Sequence, residues 1–184
     1  ALASAGLDSF RTGRMRGAST ITQQIVRNID NTGISKERTI KRKFREMVFA
    51  LQLERELTKD EILELYLNQT FFGVSAYGVE SAARQYFSKT VADMTLAEGA
   101  LLAGLTRAPN SNNPFYSPEN ARVRRDIVLG QMLRHKFITQ AEYDATVKTS
   151  IDDSVVTPEE RKQLTASLWT PNQFKAPYFV EDVR

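Results

Sequence analysis

The chain has 184 residues, 41% hydrophobic and 26% charged, values ordinary for a soluble globular protein with one domain and a real core. It lacks cysteine, which excludes disulfides and thiolate metal sites and leaves the redox compartment open. No apolar run approaches the roughly 18–20 residues of a membrane span. No signal-peptide pattern opens the chain, so any membrane tether is expected to lie outside this sequence. Net charge is only +3, but its distribution is uneven. Lys36, Arg38, Lys41, Arg42, Lys43 and Arg45 crowd ten residues against the single acid Glu37, with Arg11, Arg14 and Arg16 upstream. Such a cluster suits phosphates, whether in nucleic acid, at a membrane surface or in a pyrophosphate.

Ala1 to Arg16 is small, apolar and basic, compatible with a short helix and loop. Gly17-Ala18-Ser19-Thr20-Ile21-Thr22-Gln23-Gln24-Ile25-Val26-Arg27 then predicts a helix running to about Asp30. Thr20 followed three residues later by Gln23 reads as a capping box. The helix start offers free N–H groups and a positive dipole end to an anion. Gln23 and Arg27 share a face, as do Gln24 and Asn28. Asn31-Thr32-Gly33 is a turn, and Ser35 can cap a long helix from about Lys36 to Leu57.

In that helix Ile40, Phe44, Met47, Val48 and Leu51 are spaced as a buried stripe. Arg42, Lys43, Glu46, Phe49, Ala50 and Leu53 form a second face, so the Glu46 carboxylate is expected to be shielded from water with two cations within one turn. Burial would raise its pKa and the cations would lower it; the sequence leaves the net direction open. An Arg-to-Glu pair on a solvated face is the alternative.

Thr58 with Glu61 forms another capping box, opening a helix to about Asn68 with Glu61, Glu64 and Asn68 on one polar edge. Phe71-Phe72-Gly73-Val74 breaks it, and Gly78 to Phe87 reads as a short helix. Thr95 and Glu98 cap Leu96 to Leu105, the predicted central core helix. Thr106 to Pro114 is a proline-bounded loop, and Ser117-Pro118 starts a basic helix to about Lys136. Thr139 with Glu142 and Thr157 with Glu160 cap two more. Pro171 and Pro177 stop helix formation in the tail. Period-2 strands and repeats are not evident, so the fold class is mainly α.

Several of these stretches together resemble one family. Gly17-Ala18-Ser19-Thr20-Ile21-Thr22-Gln23-Gln24 is similar to the second signature of the family 51 glycosyltransferases. These are the peptidoglycan glycosyltransferase (transglycosylase) domains of class A penicillin-binding proteins and their monofunctional relatives. Arg42-Lys43-Phe44-Arg45-Glu46 looks like the third signature, Arg-Lys-x-x-Glu. Lys59-Asp60-Glu61-Ile62-Leu63-Glu64-Leu65-Tyr66-Leu67-Asn68 looks like the fourth nearly letter for letter. Arg107-Ala108-Pro109 with Asn113-Pro114 is similar to the fifth, and Ala176-Pro177-Tyr178-Phe179-Val180 resembles the exit toward a transpeptidase domain. The first signature is an acidic pair followed by Phe and His-x-Gly, and it carries the glutamate regarded as catalytic base. It should precede Gly17 and does not occur here; Asp8 is in the wrong setting, and the single histidine, His135, reads as a surface residue. The expectation is that this segment is omitted from the sequence rather than lost by the protein.

The resemblance implies a lysozyme-like helical lobe plus a smaller membrane-facing lobe near Val26 to Arg38. It also implies a glycosyltransferase domain over residues 1–168 and a linker over 169–184. The implied reaction polymerises lipid II into glycan strands with inversion and releases undecaprenyl pyrophosphate. Arg27, Arg42, Lys43 and the Ser19-Thr20 helix start would cradle the pyrophosphate. Glu46 would be a second acid that positions those cations, binds a divalent ion or assists the leaving group. Gln23, Gln24 and Asn68 would hydrogen-bond sugar or phosphate, Glu64 would orient neighbours, and Arg107 would hold the acceptor. Mg²⁺ or Mn²⁺ on the pyrophosphate is a further expectation. So are moenomycin-type inhibitors and a fused transpeptidase as partners, and the extracytoplasmic face of a bacterial membrane as the location. The rival readings are a glycan hydrolase, a base-less lipid-pyrophosphate-binding or scaffold domain, and a nucleic-acid-binding protein; the family resemblance implies no nucleic acid partner.

Overall fold

The structure, a computed structural model, describes residues 19–28, 40–151, 154–160 and 162–163. Expectations for Ala1 to Arg16, the Asn31 turn, the Ser35 cap and the tail from Trp169 lie outside these residues. The described part is mainly helical, with α1 (Ile21–Asn28), α2 (Ile40–Glu56) and α3 (Lys59–Gln69) followed by a hairpin of β1 (Phe71–Gly73) and β2 (Ala76–Tyr77). Then come α4 (Val79–Phe87), a 3-10 turn at Val91–Asp93, α5 (Leu96–Leu105), α6 (Pro118–Arg134) and α7 (Gln140–Val147). The chain divides into two compact units, Ala1–Thr70 and Phe71–Arg184.

In the first unit α1 packs against both α2 and α3. Among the described residues Ile25 and Val26 of α1, Ala50 of α2 and Ile62 of α3 are its buried apolar side chains. Thr58 caps α3 as the spacing predicts, with its hydroxyl accepting from the Glu61 N–H and the Glu61 carboxylate accepting from the Thr58 N–H.

One expectation for this unit is corrected. The stripe of Phe44, Met47, Val48 and Leu51 is exposed, Phe44 to 61% and Leu51 to 53%, and Phe49 of the second face is exposed as well. The side chain of Ile40 is outside the described residues. The buried side of α2 is the one carrying Glu46 and Ala50. Apolar spacing says which residues share a face; it does not say that anything covers that face. Of the stretch Val26 to Arg38, expected to form the smaller lobe, residues 29–38 lie outside the described residues. Its described part, Val26–Asn28, is the end of α1, with Val26 buried.

The second unit is built around α5. Leu101, Leu102 and Leu105 pack with Phe72, Ala82, Tyr86, Phe87 and Ala121 into one cluster, each large side chain contributing about 1.5–3 kcal/mol by leaving water. Ala100, Leu129 and Ile138 form a second cluster on the side of α6 and α7. Thr95 and Glu98 cap α5, and Thr139 and Glu142 cap α7, each as a reciprocal box.

The sequence reading missed the hairpin. β1 and β2 pair antiparallel, Phe71 opposite Tyr77, through a turn in which Val74 and Ser75 both have positive φ. Positive φ is strained for a β-branched residue, so the packing around the turn must hold it. Gly73, at φ +94°, explains part of this: a Cβ there would lie 2.9 Å from the Tyr86 hydroxyl and 3.3 Å from the Pro109 carbonyl oxygen. Tyr86 itself donates to the Phe72 carbonyl at 2.9 Å.

Candidate active site

The first unit holds a concentration of buried polar chemistry. α1 begins at Ile21 because the Thr20 hydroxyl accepts from the Gln23 N–H at 3.2 Å and the Thr20 carbonyl accepts from the Gln24 N–H at 3.1 Å. The capping box is only half formed. Instead of turning back to the cap, Gln23 Oε1 accepts from Lys43 Nζ of α2 at 3.0 Å. A tertiary cation has taken the amide that local spacing assigned to the helix start.

Lys43 is the hub. Its ammonium donates to Ser19 Oγ at 2.9 Å, to Gln23 Oε1 and to Glu46 Oε2 at 3.2 Å. The other Glu46 oxygen is held by Arg42, one helical turn back. Glu46 is 1% exposed, so the carboxylate is tolerable there only because both of its oxygens face cations. Burial pushes the Lys43 ammonium below its ordinary value, and the charges of Arg42 and Arg27 push it the same way. Two cations therefore share one carboxylate while the charge of a third, Arg27, acts on Lys43, and the excess positive charge sits beside the hydroxyl and amide of Ser19 and Gln23.

This arrangement brings together six of the sequence-predicted residues: Ser19, Gln23, Arg27, Arg42, Lys43 and Glu46. Thr20 adjoins them as the cap. Gln24 is half-exposed on α1. Glu64 and Asn68 are exposed on α3, and among the described residues no hydrogen bond joins them to the Lys43 cluster. Arg107 is exposed in the second unit, beyond the end of α5, and His135 is exposed at the end of α6. One contact went unseen in the sequence. The Thr22 hydroxyl, 5% exposed as a residue, donates to Glu54 Oε1 at 2.7 Å. The available signal was helical spacing, since Glu54 falls on the same side of α2 as Lys43.

The cluster is matched to an anion larger and more charged than one carboxylate. It offers a flexible ammonium, forked guanidinium donors and neutral hydroxyl and amide groups, the set that binds phosphate oxygens. It is poorly matched to a metal held by protein. Glu46 already has both oxygens on cations, and among the described residues no group of three or more His, Cys, Asp or Glu is placed to hold an ion.

Comparison with known proteins follows the same direction. A family model described as transglycosylase matches residues 1–133. Penicillin-binding protein 1A of Escherichia coli (strain K12) is 46% identical over 169 residues, covering 92% of this chain and 18% of that protein. The protein of the same name from Vibrio cholerae serotype O1 is 52% identical over 130 residues, 71% of this chain and 15% of that one. A crystal structure of Penicillin-Binding Protein 1A from Haemophilus influenzae aligns with a TM-score of 0.51 at 40% identity, covering 60% of this chain and 18% of that chain. The chain thus spans less than a fifth of the length of these relatives.

Proposed function

We propose, from the premise that this chain belongs to the transglycosylase family, that it is a peptidoglycan glycosyltransferase domain polymerising lipid II into glycan strands. The observation that carries the reading is the Lys43 cluster. Lys43, paired with buried Glu46 next to Arg42 and under the charge of Arg27, donates to the hydroxyl of Ser19 and the amide of Gln23. That is a site for the departing diphosphate of a lipid-linked sugar.

In the reaction, the 4-hydroxyl of the acceptor sugar attacks the anomeric carbon of the growing chain from the face opposite the diphosphate. The new C–O bond forms as the old one breaks, the bonding pair leaves with undecaprenyl pyrophosphate, and the hydroxyl proton passes to a base. Charge develops on the leaving oxygen, where Lys43, Arg42 and Arg27 stabilise it. Glu46 is assigned to holding these cations in place, since both its oxygens face them. It is badly placed to be the base for the same reason. The base belongs to the family's first signature, which these residues do not carry, so the assays below use the full-length protein.

Gln23 and Ser19 would exchange their Lys43 contacts for sugar or phosphate oxygens. Thr20, Gln24, Asn68 and Arg107 remain substrate-binding assignments on resemblance alone, with Glu64 orienting its neighbours. Mg²⁺ or Mn²⁺ fits this scheme only as an ion carried by diphosphate oxygens. Residues 1–168 are assigned to the glycosyltransferase domain and 169–184 to the linker toward a transpeptidase domain. The location proposed is the extracytoplasmic face of the bacterial membrane, with moenomycin-type inhibitors competing for the site. No helix among the described residues is long and apolar enough to cross a membrane. The exposed Phe44, Met47, Val48 and Leu51 of α2, with exposed Lys41 and Arg45 beside them, support contact with an anionic lipid surface.

Incubation of the full-length protein with lipid II should yield glycan polymer and undecaprenyl pyrophosphate. Cleavage of added glycan in place of polymer would identify a hydrolase, and tight lipid II binding without turnover would identify a scaffold. Either result overturns the proposal.

A further inference from the structure

The Lys43 ammonium has three N–H donors, and in this structure all three have acceptors: Ser19, Gln23 and Glu46. A diphosphate can be bound by Lys43 only if at least one of these contacts is released. Two of the three, Ser19 and Gln23, are what tie the start of α1 to α2 at this end. α1 has eight residues, too short to keep its place by its own helical stability. Buried Ile25 and Val26 hold its second half, so it is the first turn that needs another tie when the lysine turns to the ligand.

Thr22 and Glu54 are placed to do so. Glu54 lies about three turns, or about 16 Å, further along α2 than Lys43 and on the same side of the helix. Lys43 reaches the first turn of α1 from one end of α2 and Glu54 reaches it from the other, with buried Ala50 between them. The Thr22 contact, at 2.7 Å to a carboxylate from a side chain that is nearly buried, is of the stronger, charge-assisted kind. No group in it is needed by a phosphate, because a carboxylate repels one and Thr22 is turned away to Glu54.

We propose that Thr22 and Glu54 are positioning residues: their hydrogen bond keeps the first turn of α1 in register on α2 while Lys43 leaves Ser19 or Gln23 for an incoming diphosphate. The inference rests on the diphosphate reading of the site. It separates two roles that a single cluster would otherwise have to combine, binding the ligand and holding the binding surface still.

The test uses the full-length protein and two readouts. In lipid II polymerisation, Thr22→Val and Glu54→Leu should each raise KM about tenfold, the loss of one charge-assisted hydrogen bond, with kcat changed far less. Thr22→Ser and Glu54→Gln keep a donor and an acceptor and should stay within about twofold of the parent. The double variant Thr22→Val/Glu54→Leu should be no worse than the poorer single one, because both remove the same bond. In hydrogen exchange, the α1 amides of Thr22→Val should exchange faster than those of the parent, and faster still with inorganic pyrophosphate present. Unchanged α1 exchange in Thr22→Val, with and without pyrophosphate, overturns the inference. So does a double variant whose losses multiply, or a lowered Tm with KM unmoved well below it. A parent protein that fails to polymerise lipid II counts against the function proposed above, and the exchange measurement still decides this one.

Discussion

The two compact units of this chain use their buried charges and exposed apolar side chains differently. In the second, Leu101, Leu102 and Leu105 of α5 pack against Phe72, Tyr86 and Phe87. In the first, α2 turns Glu46 inward toward Lys43 and Arg42 while Phe44, Met47, Val48 and Leu51 face outward. Burying a carboxylate costs free energy that leucine would not, and exposing four large apolar side chains forgoes burial worth about 1.5–3 kcal/mol each. The second unit also buries a carboxylate, Glu98, but as part of the cap of α5, and its exposed apolar side chains are spread over β2, α6 and the loops rather than gathered on one helix. The first unit is therefore proposed as the part that meets diphosphate and lipid, and the second, Arg107 apart, as scaffold.

The buried polar groups sharpen the contrast. Arg125 of the second unit is as buried as Glu46, but its guanidinium donates to the carbonyls of Val147 and Thr149 and pairs with Asp126. Those bonds close the end of α7, so its charge is consumed by the fold. Glu46 has no such structural duty: its partners are cations that exceed it in number.

Substitutions can break this distinction at either side. The largest effect is expected for Glu46→Gln in the full-length protein, which should reduce lipid II polymerisation by roughly 10³-fold or more, with the circular dichroism spectrum and moenomycin-type inhibitor binding largely kept. Near-normal polymer yield would show that Glu46 belongs with Arg125 as a structural ion. Lys43→Met should cost about 10²-fold in kcat/KM, one charge-assisted donor to the leaving group. For Arg125→Met the effect should appear in stability alone: about 3 kcal/mol lost, chiefly from two unpaired carbonyls, with Asp126 left to its longer pair with Arg122, and a Tm lower by roughly 6–12 °C. Tyr86→Phe removes one buried hydrogen bond to Phe72 and should cost about 1 kcal/mol, a few degrees of Tm.

The smallest effect is a pH dependence. Burial acts to raise the Glu98 pKa, but the hydrogen bonds from Lys89 and Thr95 together outweigh it and hold the carboxyl below its ordinary value. A carboxylate depressed in the folded state stabilises fully above the unfolded pKa, about 4.3, and that contribution is lost as pH falls through the lower folded value. Stability in acid should therefore decline less steeply in Glu98→Gln, when unfolding is followed by urea titration below about pH 5. An identical slope in the parent and the variant would remove Glu98 from the acid transition.

What was legible in the sequence depended on distance along the chain. The boxes at Thr58–Glu61, Thr95–Glu98 and Thr139–Glu142 formed as spaced, because three residues of helix fix their geometry. Glu46 and its two cations were legible for the same reason, being neighbours on one helix face. Gln23 was read as a cap partner and became a ligand of Lys43, because a cation from another helix outcompeted a local bond. Thr22 and Glu54 were missed because their contact is 32 residues long in sequence and neither residue is unusual by itself. The exposed stripe of α2 was misread because periodicity carries no information about what lies opposite. The hairpin was too short, at three and two residues, for alternation to register.

The central claim is that the Lys43 cluster takes the diphosphate of a lipid-linked sugar. The most direct measurement is a crystal structure of the full-length protein with a lipid-borne diphosphate bound. The account predicts phosphate oxygens about 2.7–2.9 Å from Lys43 Nζ, with Ser19 or Gln23 released and Thr22 still on Glu54. A diphosphate bound elsewhere, with Lys43 keeping all three of its present partners, would contradict it.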